Sequence, residues 1–315
     1  MVSIFSGTLI PGEPPLYLGL FVDDFVYFSA SDKVEEKFKQ DFGSEYKVDF
    51  QDEITHFLGI MKFTNIQHDD GHVDIYTNQP ADIRDLIKKA GLDMPESLSA
   101  ETPYRSGYAV DTIPDIEMPD TERVKLNKLL QEYVCSLNWL ATQTRPDLST
   151  ITNVIAQYCS KCSPVHIDAA KYIIRYLKDT QDLGIKFSSR NNDNMESFLQ
   201  FPLDPTKLTS LSDTNWGPQD QSVPKETDEP IELDLFKSRS IAGYVIWLAG
   251  PVDWVSKRQI YTARSSAQAE IGAAQKLYYR SSTSWKISLT YMTTTTTAQL
   301  PSSTITRPVY SGPTT

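Results

Sequence analysis

The chain has 315 residues, of which 40% are hydrophobic and 23% are charged; its formal net charge is −11 and its pI is about 4.9. This composition excludes wholesale disorder and fibrous repeats, and the length predicts roughly two domains. The acidic charge, taken alone, argues against a nucleic-acid partner, because nucleic-acid-binding surfaces present an excess of lysine and arginine to phosphate.

Three cysteines, Cys135, Cys159 and Cys162, are too few for a disulfide scaffold and form no paired C-x-x-C zinc arrangement. They favour a reducing compartment. No uninterrupted apolar run approaches the roughly 20 residues that span a bilayer. Residues 2–10 are apolar, but no basic residue precedes them and prolines follow, so we expect no signal peptide.

The first predicted elements are two apolar strands within residues 16–28, which flank a tight reversal at Asp23 and Asp24. A helix is predicted over 32–42, where Val34, Phe38 and Phe42 recur at four-residue spacing on one face. Residues 45–66 return to strand character. This strand–turn–strand–helix–strand order is typical of part of an α+β sandwich.

The middle of the chain is predicted to be mainly helical. Residues 67–81 indicate a short hairpin, and a helix at about 81–90 is closed by Gly91. A proline-rich acidic stretch, 102–120, is typical of a linker. The next segments carry apolar residues at helical spacing and predict three helices, at 121–142, 148–160 and 164–178.

The last third predicts a second mixed region. Residues 184–190 favour a strand, and 190–206 form a polar insertion. An α/β stretch follows over 208–280, with strands near its start and middle and a helix at its end. Residues 281–315 carry little apolar periodicity, with several prolines and a run of threonines, so we expect a disordered low-complexity tail.

Two adjacent carboxylates, Asp23 and Asp24, lie at the predicted tip of the first hairpin. Carboxylates held on a tight turn between buried strands can bind a hard divalent cation, as two-metal phosphoryl transfer requires. The alternative is a solvated surface turn, which is the usual meaning of an isolated Asp-Asp pair. The apolar residues on both sides favour the metal-binding interpretation.

Seven motifs occur in a fixed order, namely FVDD, HFLGI, TRPDLS, HIDAAKYIIRYLKDTQDLGIKF, SDTNW, KSRSIAGYVIWLAGPVDWVSKRQ and SSAQAEIGAA. Over roughly residues 5–280 this order resembles the C-terminal part of the polyprotein of copia-type LTR retrotransposons, particularly fungal ones. The resemblance implies an α+β or α/β fold. Its implied parts are a partial reverse transcriptase palm at 1–66, a thumb-like region at 67–101, the linker at 102–120, a helical connection at 121–190, an incomplete RNase H-like domain at 208–280, and the tail.

The resemblance also implies catalytic, metal-binding residues: Asp23 and Asp24 in the polymerase motif, and Asp213 and Glu270 in the nuclease-like domain. Mg²⁺ or Mn²⁺ is the implied cofactor, and an RNA/DNA template-primer is the implied partner, with other polyprotein pieces as further partners. Phe57, Leu58 and Gly59 resemble a primer-positioning hairpin, although Gly59 also fits an ordinary strand glycine. The implied location is cytoplasmic, nuclear or both, with no membrane partner.

Two parts of the family pattern have no counterpart in the sequence. The family supplies another metal-binding aspartate well upstream of the hairpin, and a further aspartate after the helix that carries Glu270; residues 271–315 contain no Asp or Glu. Asn215 also replaces the second aspartate of the S-D-A-D-W pattern. We therefore expect a catalytically inactive relative of a reverse transcriptase with RNase H. The alternative is a remnant that acts at most as a nucleic-acid- or protein-binding module.

The remaining candidates have structural alternatives. His68 and His72 flank two aspartates on a probable loop, without a recognised zinc motif. Arg145 and Asp147 are predicted to join two helices, with the arginine pairing a carboxylate or capping carbonyls and the aspartate capping the next helix. Two groups of basic residues are interpreted as solvated surfaces, with phosphate contact as the alternative. The first comprises Lys171, Arg175 and Lys178, and the second comprises Lys257, Arg258 and Arg264.

Overall fold

A computed structural model describes residues 3–22, 24–51, 55–57, 61–94, 100–104, 118–190, 203–215, 239–284 and 304–308. Its elements in chain order are β1 (Ser3–Gly7), β2 (Leu16–Phe21), β3 (Asp24–Phe28), α1 (Asp32–Glu45), β4 (Val48–Phe50), β5 (His56–Phe57), β6 (Met61–Gln67), β7 (Val73–Asn78), α2 (Pro80–Lys89), α3 (Asp120–Gln143), α4 (Ser149–Ala156), α5 (Pro164–Asp179), β8 (Ile185–Ser188), β9 (Thr209–Asn215), β10 (Ile241–Trp247), β11 (Pro251–Arg258), α6 (Ser266–Ser284) and β12 (Thr304–Pro308). The fold is mixed α and β, and every strand pairing within the described residues is antiparallel, as in α+β proteins.

The first sheet has the order β1-β2-β3-β12-β4 and is covered by α1. Phe25 and Tyr27 alternate along β3 and point to one face, where they contact Val34 and Phe38 of α1. Phe25 and Phe38 meet edge to face with ring centroids 6.3 Å apart. The apolar spacing that predicted the helix therefore marks the face that closes this core.

The C-terminal tail contributes a strand to the first sheet. β12 pairs with β3 on one side and with β4 on the other. Residues 281–284 complete α6, and the other residues of the predicted tail, 285–303 and 309–315, lie outside the described part of the chain. This pairing satisfies backbone groups at the edge of β3 that the first hairpin leaves open.

The second sheet has the order β5-β6-β7-β8 and adjoins the helical core. Residues of α2, α3, α4 and α5 share this core, which includes the fully buried Leu130, Leu137, Ile155 and Ile174. The segments predicted as thumb-like and as helical connection thus contribute to one core. Of the intervening linker at 102–120, residues 105–117 lie outside the described part of the chain.

Helix boundaries follow local sequence signals closely. Pro164 occupies the first turn of α5, where its missing N–H is not needed. Gly91, with φ of +67°, follows α2 and donates its N–H to the carbonyl of Lys88 at 3.0 Å. α4 is shorter than predicted: it ends at Ala156, and turns follow.

Arg145 has the predicted structural role at the junction between α3 and α4. Its side chain is 1% exposed. It donates to both carboxylate oxygens of Asp147 at 3.0 and 2.8 Å and to the carbonyl of Thr180 at 2.9 Å. The predicted helix-capping role of Asp147 is wrong, because this carboxylate instead accepts from Arg145 and from the Tyr176 hydroxyl, the latter at 2.8 Å.

The third sheet, β11-β10-β9, packs against α6 through Tyr244, Ile246 and Leu277. It also contacts the helical core. The indole N–H of Trp254 donates to the carbonyl of Ala141 at 2.7 Å. This contact fixes β11 against the end of α3. Of the predicted insertion at 190–206, residues 191–202 lie outside the described part of the chain.

Among the residues that the structure describes, no helix is long and apolar enough to cross a bilayer.

The three cysteines differ in exposure, which predicts a difference in reactivity. Cys162 is fully buried. Burial is the main cause that raises the pKa of its thiol to about 11, and the neighbouring Cys159 raises this pKa further. Cys135 is exposed. Because the thiolate is the reactive form, we expect a maleimide at about pH 8 to label Cys135 in the folded chain and Cys162 only after unfolding. Peptide mass spectrometry over time measures both rates; equal rates would contradict the buried position of Cys162.

Candidate functional site

The first candidate site is the hairpin formed by β2 and β3. Asp24 begins β3 opposite Phe21, and Asp23 lies outside the described residues. Val22 precedes them at the tip with φ of +51° and is 79% exposed. A β-branched residue in this left-handed region costs about 1–3 kcal/mol and is found mainly where the surrounding structure holds it.

The predicted primer-positioning residues are only partly described. The backbone of Phe57 belongs to β5 and pairs with Met61 of β6. Leu58 and Gly59 lie outside the described residues. Their role therefore stays a prediction.

The second candidate site lies on the third sheet. Asp213 is in β9, opposite Gly243 of β10, and Glu270 is in α6. α6 packs against β9, so the structure brings together the strand and the helix that carry the two acids. Both side chains are exposed. One oxygen of Asp213, Oδ1, accepts the backbone N–H of Thr214 at 2.8 Å, which is a local contact and not a ligand bridge.

The described residues do not complete a two-metal centre at this position. Such a centre needs several oxygen ligands around two closely spaced ions. Asn215, where the family pattern has a second aspartate, ends β9 opposite Ile241. Within the described ranges, neither Asp213 nor Glu270 belongs to a group of three or more potential metal ligands. Asp213 and Glu270 therefore provide only part of the ligand set of a two-metal centre.

A basic cluster lies on β11 and α6. Partial burial lowers the pKa of Lys276, and the positive charges of Lys257 and Arg280 lower it further. Arg280 is also held by the hydroxyl of Tyr244 at 3.2 Å and by Asp253 at 3.7 Å. The sequence identified Lys257 as part of a basic group but missed Lys276 and Arg280, because only the packing of α6 brings them to the same surface.

The other basic residues singled out from the sequence are more dispersed. In α5, Lys178 donates to the carbonyl of Met94 at 2.6 Å, so it joins two segments of the helical region. Arg264 is exposed before α6, where its backbone N–H donates to Gln268 at 2.7 Å. These contacts are consistent with a structural role for Lys178 and with a solvated position for Arg264.

A separate group of potential metal ligands lies at the β6–β7 turn and comprises His68, His72 and Asp74. Asp74 is 1% exposed. Burial alone would raise its pKa, but hydrogen bonds from Lys186, Ser188 and His68 bring the pKa down to about 2. The carboxylate is therefore ionised at neutral pH. The sequence analysis identified the two histidines as candidates but missed Asp74, because a single polar residue in a strand with alternating polar and apolar residues is not distinctive.

Comparison with known proteins gives several relatives. The Retrovirus-related Pol polyprotein from transposon RE2 of Arabidopsis thaliana is 26% identical over 82% of this chain. The Putative transposon Ty5-1 protein YCL074W of Saccharomyces cerevisiae is 24% identical over 78% of this chain and 67% of its own length. The Secreted RxLR effector protein 161 of Plasmopara viticola is 30% identical over 44% of this chain and 78% of its own length.

The extent of these matches differs sharply between relatives. The chain spans only 15% of the length of the RE2 polyprotein, whereas it spans most of the Plasmopara protein. No family model and no solved structure matches the chain. The similarity to known proteins is therefore a similarity of sequence, and for the longest relatives it covers one segment of a much larger polyprotein.

Proposed function

This chain belongs to the sequence family that contains retrotransposon Pol polyproteins and the Plasmopara protein, and on that premise we propose that it is a segment of a copia-type LTR retrotransposon polyprotein. In this proposal the segment joins the end of a reverse transcriptase to an RNase H-like region. A cytoplasmic or nuclear location, with RNA/DNA as the partner, belongs to the same proposal. The sequence similarity over 82% of the chain supports it.

The parts of the polymerase are assigned from the order of the motifs. The FVDD hairpin with α1 corresponds to the end of a palm. The following sheet and helices correspond to the thumb-like region and the connection. β9, β10, β11 and α6 correspond to an RNase H-like region. The observation that carries the last assignment is the packing of α6 on β9, because it places Glu270 and Asp213 on adjoining elements.

We further propose that the chain by itself is catalytically inactive. A two-metal reaction requires ligands that hold both ions in place before the transition state. Asp213 and Glu270 offer two exposed carboxylates, and the Asp213 oxygen already accepts a hydrogen bond from Thr214. Mg²⁺ or Mn²⁺ is the ion that the family resemblance implies, and these two carboxylates alone make a weak site for it.

The basic cluster is the proposed contact surface for nucleic acid. Lys257, Lys276 and Arg280 bring positive charge to one surface of an acidic protein. The positive charges of Lys257 and Arg280 lower the pKa of Lys276, and a bound anion would relieve this repulsion, although Arg280 is already paired with Asp253. A sugar-phosphate backbone supplies regularly spaced anions and releases counterions on binding. The net charge of the whole chain therefore does not argue against a local nucleic-acid contact.

The binding test uses the full chain and a fluorescent RNA–DNA hybrid, with affinity measured by anisotropy at several salt concentrations. We expect the double variant Lys257→Gln/Lys276→Gln to weaken binding and to reduce the slope of log K against log[salt] by about 2, or about 1 for each lost phosphate contact. Lys88→Gln, an exposed lysine on α2, is the matched control and should leave both quantities unchanged. Equal binding by wild type and the double variant would refute the assigned surface.

Activity is tested on the same preparations by hybrid cleavage and primer extension with Mg²⁺ and with Mn²⁺. We expect wild type and Asp213→Asn to show the same background cleavage, and wild type and Asp24→Asn the same absence of extension. Cleavage that disappears in Asp213→Asn would show a working nuclease. Template-dependent synthesis that disappears in Asp24→Asn would show a working polymerase, and either result would overturn the proposed inactivity.

A further inference from the structure

The β6–β7 turn brings two imidazoles and a buried carboxylate together. His68 and His72 flank the turn, their rings are stacked with centroids 3.8 Å apart, and Asp74 follows in β7. One ligand atom from each of the three lies within 4.8 Å of the others. Gly71, with φ of +85°, donates its N–H to the carbonyl of His68 at 2.9 Å. The turn therefore holds both histidines in place before any ligand binds.

The contacts of His72 leave a gap lined by two potential ligand atoms. Nδ1 of His72 lies 2.8 Å from a carboxylate oxygen of Asp70, which fixes the orientation of the ring. The other ring nitrogen, Nε2, faces Oδ1 of Asp74 at 3.5 Å, and that buried oxygen has no hydrogen-bond partner. An imidazole nitrogen and a carboxylate oxygen thus face each other across this gap, and both are common metal ligands.

The distances in this gap fit a transition metal ion. Two ligands at about 2.0–2.2 Å from a tetrahedral zinc ion lie about 3.3–3.6 Å apart. His72 Nε2 and Asp74 Oδ1 are 3.5 Å apart, which lies within this range. His68 Nε2 lies 3.0 Å from Asp74 Oδ2, a hydrogen bond that His68 would exchange for the ion. Imidazole and carboxylate together suit Zn²⁺, Co²⁺, Ni²⁺ and Cu²⁺, whereas Mg²⁺ prefers oxygen ligands alone.

Neighbouring residues supply the outer contacts that such a site needs. Asp70 orients His72 through Nδ1, as carboxylates orient metal-bound histidines elsewhere. Arg190 forms an ion pair with Asp70. Lys186 lies 2.6 Å from Oδ2 of Asp74, so this oxygen is already neutralised and Oδ1 remains available. The side chain of His68 is 38% exposed, which leaves the position beside it open to water.

We propose that His68, His72 and Asp74 bind one divalent transition metal ion of the zinc class, with a water molecule in the fourth position. This site lies on different elements from Asp213 and Glu270 and does not depend on polymerase or nuclease ancestry.

The test uses the full chain, purified without a histidine tag and stripped of metal with a chelator. Cobalt is the probe, because a four-coordinate Co²⁺ site absorbs visible light and is displaced by Zn²⁺. We expect saturable binding of one Co²⁺ per chain and complete displacement by zinc. His68→Gln and His72→Gln should each weaken binding at least tenfold, and Asp70→Asn should weaken it about 10- to 100-fold by releasing His72.

His56→Gln is the matched control, since His56 is exposed in β5 and outside the group. Its cobalt affinity should equal that of wild type, and circular dichroism should show that all variants remain folded. The proposal fails if binding is not saturable or survives unchanged in His68→Gln and His72→Gln. It also fails if no cobalt binds to the folded chain.

Discussion

Replacing Arg145 with methionine is expected to lower the free energy of unfolding by about 3 kcal/mol. Methionine retains much of the apolar stem but removes the charge and all four hydrogen bonds of the guanidinium, which bind Asp147 and Thr180. Loss of one partner of a buried pair costs about 3–5 kcal/mol because the other is left uncompensated. The side chain of Asp147 is 34% exposed, so water compensates part of the loss and the lower figure applies.

The shape of the guanidinium matters as well as its charge. Nε and Nη2 of the guanidinium bind the two carboxylate oxygens of Asp147. The guanidinium carbon, Cζ, lies 5.3 Å from the ring centre of Tyr176. Lysine keeps the charge but cannot make this planar, two-pronged contact. Arg145→Lys should therefore fall between wild type and Arg145→Met in stability.

Urea unfolding followed by far-ultraviolet circular dichroism measures this effect, since the affected core is helical. Arg84→Met is the control, because Arg84 is exposed on α2 and its loss should change stability by no more than about 0.5 kcal/mol. If Arg145→Met unfolds at the same urea concentration as Arg84→Met, the buried network does not stabilise the junction.

The helical core was predictable because its signals are local. Apolar residues recur at helical spacing, Pro164 starts one helix, and Gly91 follows the end of another. These features act within a few residues of each other, so the sequence alone specifies them. The prediction that Arg145 would pair with a nearby carboxylate is confirmed for the same reason, since Asp147 is two residues away.

Features that depend on distant contacts were not predictable. β12 is a short segment, Thr-Ile-Thr-Arg-Pro, whose strand character comes from pairing with β3 and β4 at the other end of the chain. Asp74 is tolerated in the interior because Lys186 reaches it from β8. No periodicity in the sequence indicates either pairing, because each partner lies far away along the chain.

For the candidate catalytic residues, the sequence predicted the elements that carry them but not the contacts made by their side chains. The sequence order placed Asp213 on a strand and Glu270 on a helix, and the structure packs these two elements together. The positions of their side chains relative to a metal ion were not specified by the motifs. Lys276 joins the basic cluster only through the packing of α6, so the surface proposed to bind nucleic acid could not be identified from charge runs.

Substituting alanine for Gly184 is expected to destabilise the chain by about 2 kcal/mol, within the range of about 1–3 kcal/mol for overpacked interiors. A methyl group at this position would collide with the carbonyl oxygen of Thr77 and would lie 2.8 Å from Cβ of Asn78. The effect is steric, because Gly184 does not have a positive φ. Relief requires β8 to move away from β7.

The surrounding contacts oppose such a movement. The hydroxyl of Tyr76 and the amide of Asn78 both donate to the carbonyl of Asp182, at 2.6 and 3.2 Å, and so fix the chain just before Gly184. Gly184→Ala must therefore either break these bonds or separate the strands. We expect hydrogen exchange to accelerate in β7 and β8 much more than in α3, whose core contacts are unchanged.

Gly7→Ala is the matched control for this prediction, since an added methyl group at Gly7 meets no atom within 4 Å. Its unfolding midpoint and its exchange pattern should equal those of wild type. Mass spectrometry of exchanged peptides covering β7 and β8, together with urea unfolding, separates the two variants. If Gly184→Ala matches Gly7→Ala in both measurements, β8 does not approach β7 as closely as this pairing requires, and the attachment of Lys186 to Asp74 loses its structural basis.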